Sequence, residues 1–240
     1  MKELFLVELF FLVIVVVVAS SSIFTGVIAQ EDRFVIQNIT ISDKVIKEDY
    51  EVLEVDIVIP VIYCLKDKKI EEEINQAIQD NILDFKYRIQ TESEGYLQLA
   101  NSKGWEIRKC IASAYYIVHY LSNDLLSLSV FYYCYTGGAH GCTIQESYNL
   151  NLVNGERITL PDILKEKKDY LKIINQEIKR QIQLNPEAYF DDAVSHSISP
   201  EQPFYIIEDG IVIYFGLYEI APYSSGIRYF KIPFSLFETY

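Results

Sequence analysis

The sequence has few basic residues relative to acidic ones. Its 240 residues contain 21 lysines and arginines against 34 aspartates and glutamates, which gives a formal net charge of −13 at pH 7. Because Lys and Arg are needed to neutralise nucleic-acid phosphates, this balance argues against a nucleic-acid partner. An acidic surface attracts a cationic partner through long-range steering, but acidity also serves solubility alone. Both interpretations remain open at this point.

Signatures of catalysis and of metal binding are also missing. Gly137-Gly138 is not followed by the GxxxxGK[ST] pattern of a phosphate-binding loop, and neither a GxSxG elbow nor a CxxC zinc spacing occurs. We interpret His140 as a loop-packing residue whose ring bonds nearby backbone, and Glu219 as a buried carboxylate that accepts backbone N–H bonds. Asp191-Asp192 with His196 is interpreted as a solvated turn. The sequence predicts a non-catalytic protein without a cofactor or metal.

The N-terminus indicates export. An apolar run at residues 4–18, interrupted once by Glu8, is followed by small residues at 19–22 and by Val27-Ile28-Ala29. This pattern is typical of a signal peptide cleaved before Gln30. A membrane anchor is the alternative, because residues 4–29 are long enough to span a bilayer of ~30 Å at ~1.5 Å per residue. Residues 1–29 are therefore assigned as signal peptide or membrane anchor. Both assignments predict that the rest of the chain is secreted or lies on the extracellular face of the membrane.

Export permits disulfide bonds among the four cysteines. Cys134 and Cys142 flank a glycine-rich loop symmetrically, so on a hairpin they would face each other across its mouth. Cys64 ends one strand-like run and Cys110 begins another, which makes them neighbours if those strands are antiparallel. We therefore expect the pairs Cys64–Cys110 and Cys134–Cys142.

The hydrophobic pattern predicts an α+β fold in two small, intimately packed modules. Residues 30–124 form an N-terminal strand–helix–strand module, with strands at 34–41, 50–64 and 105–120, a helix at 69–87 and a turn at 101–104. Pro60 implies a bulge or an edge position. Residues 125–240 form the C-terminal module, with strands at 125–135, 142–152, 204–207, 210–215 and 227–233 and a helical stripe at 167–184. The strands are expected to be antiparallel, and the two helices are the main ones.

Two motifs are rich in glycine and aromatic residues and have almost no titratable groups. They are YTGGAHG at 135–141 and YFGLYEIAPYSSGIRYFKIP at 214–233. Glycine lets backbone approach a partner closely, and tyrosine supplies large contact area at low entropy cost, so the motifs favour a binding surface. Tyr135, Tyr218 and Tyr223 stand beside the flexible positions. They either contact a ligand or cover the core under the loops.

The two motifs, in this order and with an LPDILK helix opening between them, resemble the RsiV-like extracellular domains of lysozyme-sensing anti-sigma factors. The same domain type occurs as the N-terminal module of PdaC-type peptidoglycan deacetylases. The resemblance covers about residues 35–237. It implies a strand–helix–strand module followed by a motif-bearing module, and a surface that plugs the cleft of a lysozyme.

Carried onto this sequence, the resemblance implies thirteen ligand-binding residues. They are Tyr135, Thr136, Gly137, Gly138, Ala139, His140, Gly141, Tyr218, Glu219, Ala221, Pro222, Tyr223 and Gly226. The expected partner is a cationic lysozyme-like protein or a peptidoglycan glycan. Because only residues 1–3 precede the apolar run and no deacetylase domain follows Tyr240, we expect the sensor-like module alone. The alternative is a wall-enzyme accessory, or a hydrolase or deacetylase with a convergent site.

Overall fold

The structure, a computed structural model, describes residues 39–164, 167 and 169–237. The expected signal peptide or anchor and the first part of the strand expected at 34–41 lie outside these residues. Within the described ranges, no helix is both long and apolar enough to cross a membrane.

The described chain is an α+β fold with two main helices, as predicted, and its strands form two sheets. Its elements are β1 (Thr40–Asp49), β2 (Leu53–Tyr63), α1 (Lys68–Lys103), β3 (Cys110–Leu121), β4 (Leu125–Tyr135), β5 (Cys142–Asn151), α2 (Leu160–Leu164), α3 (Tyr170–Leu184), β6 (Phe204–Ile207), β7 (Gly210–Phe215) and β8 (Arg228–Pro233). The first sheet has the order β1-β2-β3-β4-β5, and the second has the order β6-β7-β8.

Helix α1 is much longer than the sequence pattern predicted. It begins at Asp67, whose carboxylate accepts the backbone N–H groups of Lys69 and Ile70, and it ends at Gly104 in the left-handed conformation. The predicted end near residue 87 and the turn at 101–104 are therefore wrong. Beyond residue 87 the buried residues of α1 are Ile89, Ser93 and Ala100. Such a sparse and partly polar stripe has little hydrophobic periodicity.

Strands β2 and β3 are parallel, and this overturns one expected disulfide. Their register pairs Leu53 with Cys110 and ends at Ile57 opposite Ala114. Cys64 follows the far end of β2, so it cannot reach Cys110 at the start of β3. Parallel strands need a long crossover connection, and α1 provides it. The antiparallel arrangement assumed for the Cys64–Cys110 pair is therefore wrong.

Each sheet has its own hydrophobic core. Ile57, Ile78 and Leu128 belong to the core between α1 and the first sheet. Ile178 and Phe230 belong to the core between α3 and the second sheet. The first sheet continues across residue 124, where we predicted a module border from the sequence, and it ends with β5 as its edge strand. The first core ends at Leu152 and the second begins at Leu160, so we propose the border between these two residues.

The two sheets meet through polar groups on β4. Leu126 and Leu128 belong to the first core, while the alternating Ser127 and Ser129 bond on the other side of the strand. The Ser127 hydroxyl donates to Asn149 Oδ1 at 2.7 Å and accepts the Ile206 N–H at 2.8 Å. Because a buried polar group without a partner is costly, these bonds specify where β6 sits on the first sheet.

His119 forms a second contact between the sheets. Its ring stacks on Tyr205 of β6 with 3.7 Å between centroids, and its Nε2 lies 2.9 Å from the Ser129 hydroxyl. Burial lowers the pKa of His119 from 6.5 to about 4. The imidazole is therefore neutral at pH 7.

Candidate functional site

The structure brings the two motif loops together through three aromatic rings. His140 of loop 136–141 stacks on Tyr223 of loop 216–226 with 4.0 Å between ring centroids. Tyr218 lies 5.6 Å from Tyr223 by the same measure, and its hydroxyl is 3.4 Å from His140 Nε2. We call His140, Tyr218 and Tyr223 the aromatic cluster. It joins residues that are far apart in the sequence into one surface.

One backbone carbonyl holds both loops. The Tyr223 hydroxyl donates to the Gly141 carbonyl at 2.8 Å, and His140 Nδ1 lies 2.9 Å from the same oxygen. A proton on Nδ1 makes this second contact a hydrogen bond and leaves Nε2 as the acceptor for Tyr218. The His140 ring therefore packs the loop and bonds nearby backbone, which agrees with the interpretation from the sequence.

Glycine is favoured at position 141 because another side chain occupies the space beside it. Gly141 is buried, and an added Cβ would overlap the ring of Tyr133 on β4. Gly137 is required for a different reason, since its φ of 88° lies in the left-handed region. The ring of Tyr96 on α1 lies 3.7 Å from the Cβ position of Gly137. The first loop is thus fitted against both β4 and α1.

Tyr218 is the strained residue of the site. Its φ is 64°, a conformation that costs a non-glycine residue about 1–3 kcal/mol, and 57% of its surface is exposed. The Glu219 carboxylate accepts the Gly216 N–H at 2.7 Å and so holds the turn. Glu219 has the predicted backbone-bonding role, but it is exposed, and the prediction that it is buried is wrong.

The remaining predicted site residues differ in accessibility. Thr136, Gly138 and Ala139 are exposed, and Tyr135, Pro222 and Gly226 are half-buried. Ala221 is only 2% exposed, so it supports the loop from beneath and is not available to a partner.

Three supporting residues were not identified from the sequence. Tyr133 packs on Gly141, Tyr96 packs on Gly137, and the Arg108 guanidinium donates to the Gly137 carbonyl at 3.3 Å. No sequence signal marks them, because Tyr96 and Arg108 are distant from the loop in the sequence and meet it only in the folded structure.

Cys134 and Cys142 lie directly opposite each other in the register of β4 and β5, at the mouth of loop 136–141. Both are thiols in the structure, and burial raises the pKa of the Cys134 thiol. Their disulfide stays a prediction. Across the described ranges, no group of three or more His, Cys, Asp and Glu side chains is placed to hold a metal ion.

The fold and the paired loops define an α+β protein of two modules. Comparison with known proteins finds a matching family in each module. Residues 46–143 match the family described as deacetylase PdaC, and residues 161–235 match DUF3298, a family of unknown function. These matches support the resemblance to RsiV-like domains and to the PdaC-type module.

Two curated relatives come from Bacillus subtilis. The chain is 30% identical over 199 residues to anti-sigma-V factor RsiV, which covers 78% of this chain and 65% of the relative. It is 31% identical over 127 residues to the peptidoglycan-N-acetylmuramic acid deacetylase PdaC, covering 51% of this chain and 27% of the relative. The chain thus spans about a quarter of the deacetylase and just under two thirds of the anti-sigma factor.

Two solved structures share the fold. A DUF3298 protein from Bacteroides fragilis superposes with a TM-score of 0.66 at 18% identity, over 84% of this chain and 93% of the other. A DUF3298 protein from Pseudomonas aeruginosa superposes with a TM-score of 0.52 at 15% identity, over 84% and 91%. At these identities the likeness establishes the fold.

Proposed function

We propose that this protein is an exported, non-catalytic cell-envelope domain whose aromatic cluster binds a cationic, lysozyme-like protein. The observation that carries the proposal is Tyr218, an exposed aromatic residue held in a strained backbone conformation beside His140. Strain of this kind persists where the surrounding structure requires it, and it concentrates at functional sites. A half-exposed tyrosine with a fixed backbone is also a low-entropy anchor for a protein interface.

The charge of the chain supports a cationic partner. With a net charge of −13, the protein attracts a basic protein from a distance and raises its rate of association. The similarity to anti-sigma-V factor RsiV and the resemblance of both motifs to the RsiV-like domains favour a lysozyme-like partner over other basic proteins.

The bonds of His140 and Glu219 favour binding over catalysis. His140 bonds the Gly141 carbonyl and Tyr218, while Glu219 bonds the Gly216 N–H. The two side chains therefore serve different loop contacts, and they do not form an acid–base pair with each other in the described structure. This arrangement suits a fixed surface better than a proton-transfer site.

Calorimetric titration tests the proposal. We expect egg-white lysozyme to bind the full chain, with an affinity that falls as salt rises because the attraction is partly electrostatic. Tyr218→Ala removes the exposed ring without removing the backbone strain, and it should weaken binding at least tenfold. The matched control is Tyr87→Ala, which removes a tyrosine of similar exposure, 56%, from the surface of α1.

The same titration with muropeptides distinguishes the other partner class. Binding of muropeptides with no response to lysozyme would replace the protein partner by a peptidoglycan glycan. Absence of heat with both ligands, or equal weakening by Tyr87→Ala and Tyr218→Ala, would contradict the proposed site.

A further inference from the structure

Strand β1 leaves one edge of the first sheet open. The sheet order is β1-β2-β3-β4-β5, and among the strands of the described residues β1 pairs only with β2. With 10 residues, β1 is longer than the typical strand of about 5–6 residues. An edge strand presents a row of unpaired N–H and C=O groups, and a long exposed edge is a template for pairing with another chain.

The register of the β1–β2 hairpin identifies the residues of β1 whose backbone faces outward. The Tyr50 N–H donates to the Leu53 carbonyl at 2.8 Å, and the same register continues without a shift along the whole of β1. In an antiparallel pair, alternate residues direct both backbone groups to the partner strand. The even-numbered residues of β1 therefore bond β2. The outward residues are Ile41, Asp43, Val45, Lys47 and Asp49.

We infer that β1 is a dimerisation strand, which pairs antiparallel with β1 of a second copy of this chain. The unpaired row of backbone groups is matched by another strand, and a two-fold axis through Val45 places outward residues opposite outward residues. Val45 then lies opposite Val45 of the second copy. On both sides of the axis, Asp43 of one copy lies opposite Lys47 of the other. The strand is therefore complementary to itself in charge.

The neighbouring two-fold registers are unfavourable. An axis at Asp43, Lys44 or Lys47 places that charged residue opposite its own copy. An axis at Ile46 places Asp43 opposite Asp49. Like charges directly opposite each other destabilise a pair of strands, whereas opposite charges stabilise it. Among the axes at residues 43–47, the axis at Val45 is the one that opposes no like charges.

The side chains at the axis are available for this pairing. Val45, a β-branched residue suited to strands, is 52% exposed. The Lys47 ammonium lies 3.3 Å from Asp56, and the Asp43 carboxylate accepts the Tyr116 hydroxyl at 2.6 Å. An ammonium has three donors and a carboxylate has two acceptor oxygens, so both groups retain capacity for a partner across the axis.

Pairing through β1 leaves the motif loops uncovered. β1 and β5 are the two opposite edges of the first sheet, and loop 136–141 leads into β5. A dimer of this kind therefore presents two copies of the aromatic cluster. The inference does not depend on what that cluster binds.

Sedimentation of the full chain over a range of concentrations tests the inference. We expect a monomer–dimer equilibrium. Asp43→Lys alone and Lys47→Asp alone should each raise the dissociation constant of the dimer at least tenfold, because each places like charges across the axis. An equimolar mixture of the two variants should recover a dimer, because the two lysines of one chain then face the two aspartates of the other. The control Lys66→Asp makes the same charge change on an exposed residue outside β1 and should have no effect.

Hydrogen exchange locates the interface. The Val45 and Lys47 amides face outward, so they should exchange rapidly in dilute protein and more slowly as the dimer forms. The Ile46 amide bonds β2 and is the internal control, since its protection should not depend on concentration. Circular dichroism confirms that the variants are folded.

Three results would overturn the inference. A chain that stays monomeric at every concentration has no dimerisation strand. A dimer that forms equally well with Asp43→Lys or Lys47→Asp uses another surface. Protection of the Val45 amide that is the same at every concentration would show that another segment of the same chain covers the edge. None of these results bears on lysozyme binding, so the proposed function is tested separately.

Discussion

The ring of Tyr133 lies in the space that a Cβ of Gly141 would occupy. Tyr133 is on β4 and Gly141 ends the loop before β5, so this contact sets how closely the motif loop approaches the sheet. The Gly141 carbonyl is also the acceptor for Tyr223 from the second module. A change at Gly141 therefore affects the contact between both motif loops.

We expect Gly141→Ala to lower the free energy of unfolding by about 1–3 kcal/mol, because the added methyl group overlaps a packed ring. Urea unfolding measures this change. Gly138→Ala is the matched control, since it lies in the same loop, and the nearest atom to its added Cβ, the His140 carbonyl oxygen, is 4.0 Å away. In a protein that already carries Tyr133→Ala, Gly141→Ala should lower the free energy of unfolding much less, because the ring that the added methyl group overlaps is absent. A penalty that is the same with and without the Tyr133 ring would show that the overlap is not its cause.

The register of β4 and β5 predicts a Cys134–Cys142 disulfide under oxidising conditions, and the parallel register of β2 and β3 predicts none between Cys64 and Cys110. Mass spectrometry of peptides prepared without reductant identifies the linkage. For so short a loop, reduction should lower the free energy of unfolding by about 2–3 kcal/mol. Recovery of a Cys64–Cys110 peptide from the native protein would contradict the strand order.

Replacement of Tyr218 should affect the stability of the protein and its binding of lysozyme differently. Tyr218→Asn places at φ 64° a residue that tolerates the left-handed region, so we expect unchanged stability or a gain of up to about 1 kcal/mol. Tyr223→Asn should instead be destabilising, because it removes the ring stack on His140 and the bond to Gly141. Urea unfolding and calorimetry with lysozyme measure both properties. Loss of stability in Tyr218→Asn would show that its ring serves the core.

Ser127 is the residue whose removal should loosen the contact between the two sheets. Ser127→Ala leaves the Ile206 N–H and Asn149 Oδ1 without their buried partner, at a cost of about 1–3 kcal/mol. Hydrogen exchange should show faster exchange of the Ile206 amide. The control Ser42→Ala removes an exposed serine from β1 and should change neither quantity. Unchanged protection of Ile206 would mean that this bond does not hold β6.

Because the pKa of His119 is lowered, we expect the protein to lose stability in mild acid. Burial lowers its folded pKa to about 4, whereas the unfolded chain takes up the proton near 6.5. Between these values the unfolded state binds the extra proton, so stability is complete above about pH 6.5 and falls toward pH 4 by up to about 1.4 kcal/mol per pH unit. His119→Phe keeps a ring against Tyr205 but cannot titrate. Urea unfolding from pH 7 to pH 4.5 should show a smaller slope for the variant, and equal slopes would exclude His119 as the cause.

Much of the fold was predictable because several strands are short runs of apolar residues bounded by turn residues. The strands predicted at 204–207 and 210–215 have the bounds of β6 and β7, and Leu126 and Leu128 alternate with Ser127 and Ser129 as expected for β4. The second half of α1 was missed because Ile89 and Ala100 are too widely spaced to mark a helical face. The pairing of Cys64 with Cys110 failed because strand direction depends on the crossover that joins the strands, not on the strands themselves.

By itself, the sequence determined the glycine-rich motif loops, the acidic charge and the resemblance to RsiV-like and PdaC-type domains. Those properties depend on residue identity and on local backbone preferences. Only the tertiary structure decided that the two loops meet. The Tyr223 hydroxyl reaches the Gly141 carbonyl across 82 residues of sequence, because the second sheet packs on the polar face of β4 and β5. Local propensity contains no information about such a contact, since it arises from the packing of two separate cores.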